Sequence, residues 1–197
     1  MEAIYNRRSI RKYKQQMVPA DVVRAILDAG RMAPSGKNRQ PWKFNVFAGR
    51  DKEELLNAME RGIAREKEDH AYLPASAGGL ADAQNTLRIM REAPIAVIIL
   101  NTNGRNPFES VTPDERVAEI VDSLSIGAAV ENMLLQAEEL GIGCLWIANT
   151  CFAYRELVEY LDTKDQLVGA VSMGYADESP AARPRKPLEQ IVEWRMG

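Results

Sequence analysis

After Pro19, a suitable first helical residue, Val22, Val23, Ile26 and Leu27 recur at helical spacing. They predict a helix that ends before the turn cluster Pro34-Ser35-Gly36. Trp42, Phe44, Val46 and Ala48 alternate with Lys43, Asn45 and Phe47, the period of a strand with one face more buried than the other. A highly charged helix is predicted over 51–70, with Leu55, Leu56, Met59 and Ile63 as its apolar stripe. Another follows over 80–92, stopped by Pro94. The unbroken apolar run 95–100 reads as a strand buried on both faces, and 101–113, with two prolines and Gly104, as a loop. An unusually long helix is predicted over 114–140. Its middle, Ser123-Leu124-Ser125-Ile126-Gly127-Ala128-Ala129, is rich in small residues on more than one side, so it lies in the core or against a partner subunit. A strand over 144–147, a short helix over 153–161 and a strand over 167–173 complete the elements. The tail 180–197 carries Leu188, Ile191, Val192 and Trp194, too apolar to float free, and is expected to dock.

Helices and strands are mixed, and only some spacings suit repeated βαβ units, which favours α+β with a layered sheet and helices on its faces. With 197 residues, and no repeat or long linker, a single domain over 1–197 is expected. No G-x-G-x-x-G follows the first strand and no G-x-x-x-x-G-K-[ST] occurs, which disfavours a Rossmann dinucleotide site and a P-loop.

Charge and rare residues narrow the chemistry. A net charge of -3 and the lack of aromatic-basic interleaving argue against nucleic acid as a partner. The longest apolar run is too short to span a membrane, and Met1-Glu2-Ala3-Ile4-Tyr5 lacks the basic start and apolar core of a signal peptide, so the cytoplasm is the expected location. The one histidine, His70, sits in a charged stretch and reads as part of a solvated helix face, not as an oriented catalytic base. Cys144 and Cys151 lie in apolar surroundings without C-x-x-C spacing and read as buried free thiols; no metal site is expected. If the chain is an enzyme, an organic cofactor carries the difficult chemistry.

Three clusters are candidates to hold one. Arg7-Arg8-Ser9-Ile10-Arg11 concentrates three guanidinium groups and a hydroxyl, a set suited to gripping phosphate. Arg183-Pro184-Arg185-Lys186-Pro187 places more cations on a stretch stiffened by proline, so that two ends meeting at one place would surround a dianion. Each has a plainer reading, as a solvated basic start and as a rigid soluble linker. The third, Ala33-Pro34-Ser35-Gly36-Lys37-Asn38-Arg39-Gln40-Pro41-Trp42, sets turn formers, small polar groups and an amide beside an aromatic, which suits a planar heteroaromatic ligand.

Arg7-Arg8-Ser9-Ile10-Arg11 together with Pro34-Ser35-Gly36-Lys37-Asn38-Arg39-Gln40-Pro41-Trp42 resembles the FMN-dependent nitroreductase family. The long small-residue helix, Gly143-Cys144-Leu145-Trp146-Ile147 and Arg183-Pro184-Arg185-Lys186-Pro187-Leu188 follow in the family's order, and only 50–80 and 101–115 carry almost no family signal. The resemblance implies a three-layer fold with a central mixed, mainly antiparallel sheet flanked by helices, in an intertwined homodimer that exchanges its C-terminal arm. It implies that Arg7, Arg8 and Ser9 hold the FMN phosphate and ribityl chain, with Arg183 and Arg185 closing on the phosphate. Arg11, Asn85 and Arg88 would serve the pyrimidine edge of the flavin. Pro34, Ser35, Gly36 and Asn38 would come from the other subunit, and Ile147, Ala148 and Asn149 would bring a backbone N–H to flavin N5. Ala148-Asn149 departs from the Glu-Gly of some members, which bears on acceptor preference. No side chain is implied to be catalytic in its own right.

Arginine has no usable deprotonated form, so Arg11 and Arg88 would stabilise negative charge on a reduced flavin. The implied function is an oxidoreductase that uses NAD(P)H to reduce small acceptors such as nitroaromatics or quinones by ping-pong hydride transfer. Two alternatives keep the cofactor: a non-catalytic FMN-binding carrier or regulatory module, and a related flavin enzyme of different chemistry (dehalogenating or flavin-modifying) with 66–79 as a lid.

Overall fold

The computed structural model describes residues 2–68 and 71–197; His70, expected on a solvated helix face, lies outside the described residues. After a single helical turn, α1 (Ala3–Asn6), the elements run α2 (Ala20–Arg31), β1 (Trp42–Ala48), α3 (Gly49–Arg65), α4 (Leu80–Glu92), β2 (Ile95–Asn101), α5 (Pro113–Glu139), β3 (Gly143–Ile147), α6 (Tyr154–Tyr160) and β4 (Gln166–Gly174).

β2 organises this fold. All of its residues are buried, and the two-residue period of a strand sends them alternately into two cores. Ile95, Val97 and Ile99 pack with Ile26 of α2 and with Ile126, Val130 and Met133 of α5. Ala96, Ile98 and Leu100 pack with Leu55, Leu56 and Met59 of α3, Leu87 of α4 and Leu157 of α6. Between these helical layers lies a four-stranded sheet in the order β1-β2-β4-β3. The three-layer α+β arrangement expected from the sequence is therefore the observed one. The named strands all pair antiparallel, and among the described residues the parallel component is one isolated bridge between Ser9 and Cys144.

Several boundaries differ from the sequence reading, each for a local reason. α3 ends at Arg65 because Glu66 folds its carboxylate onto the N–H groups of Tyr72 (2.9 Å) and Leu73 (3.0 Å), turning the chain back. Burial works against charge on Glu66, yet Arg65 and these two N–H groups hold its carboxyl below the usual range. α2 begins one residue later than read, with Pro19 preceding it. α5 starts at Pro113 because Thr112 and Glu115 form a capping box, each side chain bonded to the other's backbone N–H. The helix expected over 153–161 is α6, one residue shorter at each end, and a 3-10 turn, Asn149–Ala153, leads into it. That turn corrects the reading of the thiols: Thr150, Phe152 and Ala153 face inward and leave Cys151 exposed, whereas Cys144 is buried and its thiol is pushed up to about 12 by desolvation.

α5 serves two surfaces at once. Ile126, Val130 and Met133 are in the core, while Val117, Ile120 and Leu124 are exposed, Leu124 at 71%. The tail does not dock on its own chain: Leu188, Ile191, Trp194 and Met196 all stand exposed. No helix among the described residues is long and apolar enough to cross a membrane.

Candidate functional site

β3 is an edge strand, and the chain's N-terminal stretch closes on it. Ile10 N–H donates to the Cys144 carbonyl (2.9 Å), Lys14 N–H to that of Tyr175 (2.9 Å), and Asp177 N–H to that of Lys12 (2.9 Å). The approach depends on Gly143, where a Cβ would come within 2.8 Å of Ile10. Tyr13 is buried with its hydroxyl on the Ile10 carbonyl (2.8 Å), and burial raises its pKa. Residues 9–14 are thereby fixed alongside the chain that leaves β4, and the two termini meet.

Their meeting place is a cleft of about 260 Å³ lined by Arg7, Arg8, Ser9 and Arg11 from one end and Arg183 and Arg185 from the other. Arg7 pairs with Glu131 of α5 (2.9 Å). Arg8 donates from Nη1 to the carbonyls of Tyr5, Asn6 and Arg7 (2.7–2.9 Å), which fixes the guanidinium at the end of α1. Arg11 donates from its side chain to the Ser9 carbonyl (3.1 Å) and from its backbone to Glu178. Arg185 is bonded to carbonyls of its own segment, Arg183 and Pro184. Among the described residues no carboxylate side chain is paired with the guanidinium groups of Arg8, Arg11, Arg183 or Arg185. Like charges this close repel one another, and an anion with several acceptor oxygens relieves all four.

Arg11 also lines a second cleft, of about 170 Å³, with Asn85 and Thr86 of α4, Leu145, Trp146 and Ile147 of β3, and Ala148 and Asn149. Asn149 is held by its side-chain amide, which donates to Asp82 (2.7 Å) and Thr86 (3.0 Å) of α4. Arg88 does not line this cleft. Its guanidinium is drawn to Glu92, one turn along α4, and to Asn85 Oδ1 (2.9 Å), and it borders a different groove with Glu60 and Arg91.

The turn 34–40 stands apart from both clefts on its own chain. It packs on α5, where Gly36 N–H donates to Ser125 Oγ (3.2 Å) and a Cβ at Gly36 would meet Val121 at 2.4 Å. Lys37, Asn38 and Gln40 have φ of 54°, 54° and 49°. Left-handed backbone costs an ordinary L-residue roughly 1–2 kcal/mol, with asparagine the most tolerant, so the turn is under local strain. Pro34 and Asn38 are exposed, Ser35 and Gly36 half-buried.

The structure thus brings together Arg7, Arg8, Ser9, Arg183 and Arg185 in one cleft, and Arg11, Asn85, Ile147, Ala148 and Asn149 in a second that shares Arg11. It leaves Arg88 and the turn residues outside both. Sequence reasoning did not find Trp146, 44% exposed on the open edge of β3 and bordering the second cleft, or Glu131, which orients Arg7. Trp146 lies inside the motif strand, and a large aromatic beside buried neighbours was the available signal. Glu131 is 124 residues from its partner and carries no local signal.

The chain is 27% identical over 96% of its length, and 87% of the relative's, to a 4-nitrobenzoate reductase from Nocardioides sp.. A BluB-like flavoprotein from Clostridium difficile matches with a TM-score of 0.81 and 25% identity, covering 99% of this chain and 98% of that one. The FMN-dependent nitroreductase NfnB from Mycobacterium smegmatis, solved in complex with NADPH, matches with a TM-score of 0.75 over 99% of this chain and 97% of its own, and at 18% identity shares the fold. The model of the Nitroreductase family matches residues 4–175. By that match, which takes in every strand and both helical layers, this chain belongs to the nitroreductase family.

Proposed function

We propose that this chain is an FMN-dependent oxidoreductase that takes electrons from NADH or NADPH and passes them to small acceptors such as nitroaromatics or quinones, donor and acceptor occupying the site in turn. The observation that carries the reading is the cleft where four arginines without carboxylate partners converge from both ends of the chain. A phosphomonoester fits that donor set, since it is a dianion that offers only acceptor oxygens to guanidinium forks and to the Ser9 hydroxyl. The second cleft, with Leu145 and Ile147 as apolar wall and the Asn85 amide and Arg11 as polar rim, suits the edge of a flat heteroaromatic ring.

When bound, FMN supplies two-electron hydride chemistry. The chain's part is to bind, orient and hold charge. Arg7, Arg8, Ser9, Arg183 and Arg185 grip the phosphate end. Arg11, shared by the two clefts, keeps a fixed positive charge beside the ring edge, where negative charge gathers on reduction. Asn85 offers its amide there, and the backbone at Ile147, Ala148 and Asn149 is held in place by the bonds from Asn149 to α4. Arg88 acts from one step further away, by holding Asn85 Oδ1. The turn Pro34, Ser35, Gly36 and Asn38 is lent to the site of a second copy in a homodimer. This assignment is supported by the absence of these residues from the lining of either cleft of their own chain and by the exposed apolar residues of α5 and the tail.

The test is optical. Purified protein should be yellow, NADH or NADPH should bleach it anaerobically, and a nitroaromatic or quinone should restore the colour. Colourless protein that refuses added FMN overturns the proposal, and yellow protein that neither nicotinamide bleaches makes the chain a carrier. The likeness to a flavoprotein fits equally a related flavin enzyme of different chemistry, such as a flavin-modifying one. Loss of the flavin itself when the reduced protein meets oxygen would select it.

Arg11→Ala should lower the reduction potential of the bound flavin by about 30–60 mV. A charge-assisted hydrogen bond contributes about 1.5–3 kcal/mol, and 30 mV is about 1.4 kcal/mol for a two-electron couple. Spectroelectrochemical titration reads it, and an unchanged potential with flavin still bound removes Arg11 from the ring edge.

A further inference from the structure

The turn 35–40 has a support that lies outside both clefts. Arg39 reaches across 83 residues of sequence to Asp122 on α5, donating from Nε (3.0 Å) and Nη2 (2.7 Å) to one carboxylate oxygen. The side chain of Asp122 is 3% exposed, and its second oxygen accepts from the Asn103 amide at 3.4 Å. Asn103 N–H in turn donates to Asn101 Oδ1 (3.1 Å), and the buried Asn101 amide to Gln166 (3.1 Å), so the carboxylate is tied into the ends of β2 and β4. Within the turn, Asn38 N–H donates to the Ser35 carbonyl (2.9 Å) and Gln40 N–H to Ser35 Oγ (3.0 Å). Those bonds shape the turn but do not attach it. Among the described residues, Arg39 provides the only hydrogen-bonded tie between positions 37–40 and the body of the protein.

A backbone with left-handed residues at Lys37, Asn38 and Gln40 relaxes unless its surroundings impose it. Gly36 and Pro41 are fixed at the two ends, Gly36 by Ser125 and Pro41 by its carbonyl, which accepts from Thr102 N–H (2.8 Å). The strained middle has only the Arg39–Asp122 pair. A buried carboxylate with one cationic partner holds that partner firmly, because separation would leave an uncompensated charge in the interior.

We infer that Asp122 is a positioning residue of the cofactor site: through Arg39 it holds the 35–40 turn in the strained shape that presents Ser35, Gly36 and Asn38 to the cofactor. The inference rests on the functional reading above, in which this turn meets FMN.

The experiment is an FMN titration of apoprotein, followed by flavin fluorescence, on the wild type, Asp122→Ala, Arg39→Ala and the double variant Arg39→Ala/Asp122→Asn. Visible circular dichroism of bound flavin and thermal melting are measured in parallel. Each variant should bind FMN at least tenfold more weakly, with an altered visible dichroism and unchanged far-ultraviolet secondary structure. The double variant, which leaves no buried unpaired charge, should bind no better than Arg39→Ala while melting higher. It also keeps the test open if Asp122→Ala fails to fold. Wild-type apoprotein that does not take up FMN overturns the functional reading itself. Wild-type binding with variants within twofold of it, including variants that only melt lower, overturns the role of Asp122 and leaves the functional reading standing.

Discussion

Replacing Arg183 and Arg185 together with alanine should weaken FMN binding by about two to four orders of magnitude. Hydrogen bonds to a charged group contribute about 1.5–3 kcal/mol each, so two lost cations remove about 3–6 kcal/mol. Neither side chain is tied to another element: Arg185 bonds only to carbonyls of its own segment, and Arg183 donates no side-chain hydrogen bond among the described residues. Fold and secondary structure should therefore survive the change, unlike a substitution at Arg8, whose guanidinium caps α1. Equilibrium titration at fixed salt measures the effect, and affinity within threefold of wild type would show that the C-terminal arginines do not meet the phosphate.

In the proposed homodimer, cutting the chain before Pro187 should weaken association and leave those two arginines in place. Leu188, Ile191, Trp194 and Met196 expose most of their surface on the single chain. Full burial of a large apolar side chain contributes about 1.5–3 kcal/mol, so four of them against a partner supply about 6 kcal/mol at the lower end, roughly a 10⁴-fold change in dimer affinity. Sedimentation equilibrium reads the outcome. A truncated protein that stays a tight dimer at nanomolar concentration would show that the tail does not hold the partner. Together the two changes test separately the two roles proposed for the tail, charge before Pro187 and apolar contact after it.

The framework of the fold was legible in the residues because it depends on local periodicity. The apolar run 95–100 read as a strand buried on both faces, and β2 divides its side chains between two cores. Val22, Val23, Ile26 and Leu27 marked α2, and the length of α5 was plain. What depends on long-range partners was not legible. α3 stops where Glu66 reaches forward to Tyr72 and Leu73, a contact no helical pattern encodes. Cys151 is exposed because the 3-10 turn before α6 turns its neighbours Thr150 and Phe152 inward, which the apolar surroundings in the sequence did not reveal. The start of α5 was more accessible than the reading made it, since Thr112-Pro113-Asp114-Glu115 carries both a capping box and a proline at the first turn.

The candidate site divides in the same way. That arginines at both ends suit one dianion followed from side-chain chemistry. That the ends meet depends on Gly143 admitting Ile10, which the sequence offered only as one of many glycines. Asn85 and Arg88 resembled a pair acting on one edge, but Glu92, four residues on, competes for the longer side chain and turns it away. The Arg39–Asp122 pair joins residues with nothing in the intervening sequence to relate them.

α5 has a mechanical consequence. It is an uninterrupted helix of 27 residues, and it carries both Asp122, the support of Arg39, and Glu131, the support of Arg7. At 1.5 Å per residue the two carboxylate-bearing positions lie about 13 Å apart along the axis. A rod of that kind sets a spacing as a ruler does. The spacing between the helix positions that support the N-terminal basic cluster and the strained turn is thus set by one secondary-structure element, not by loops.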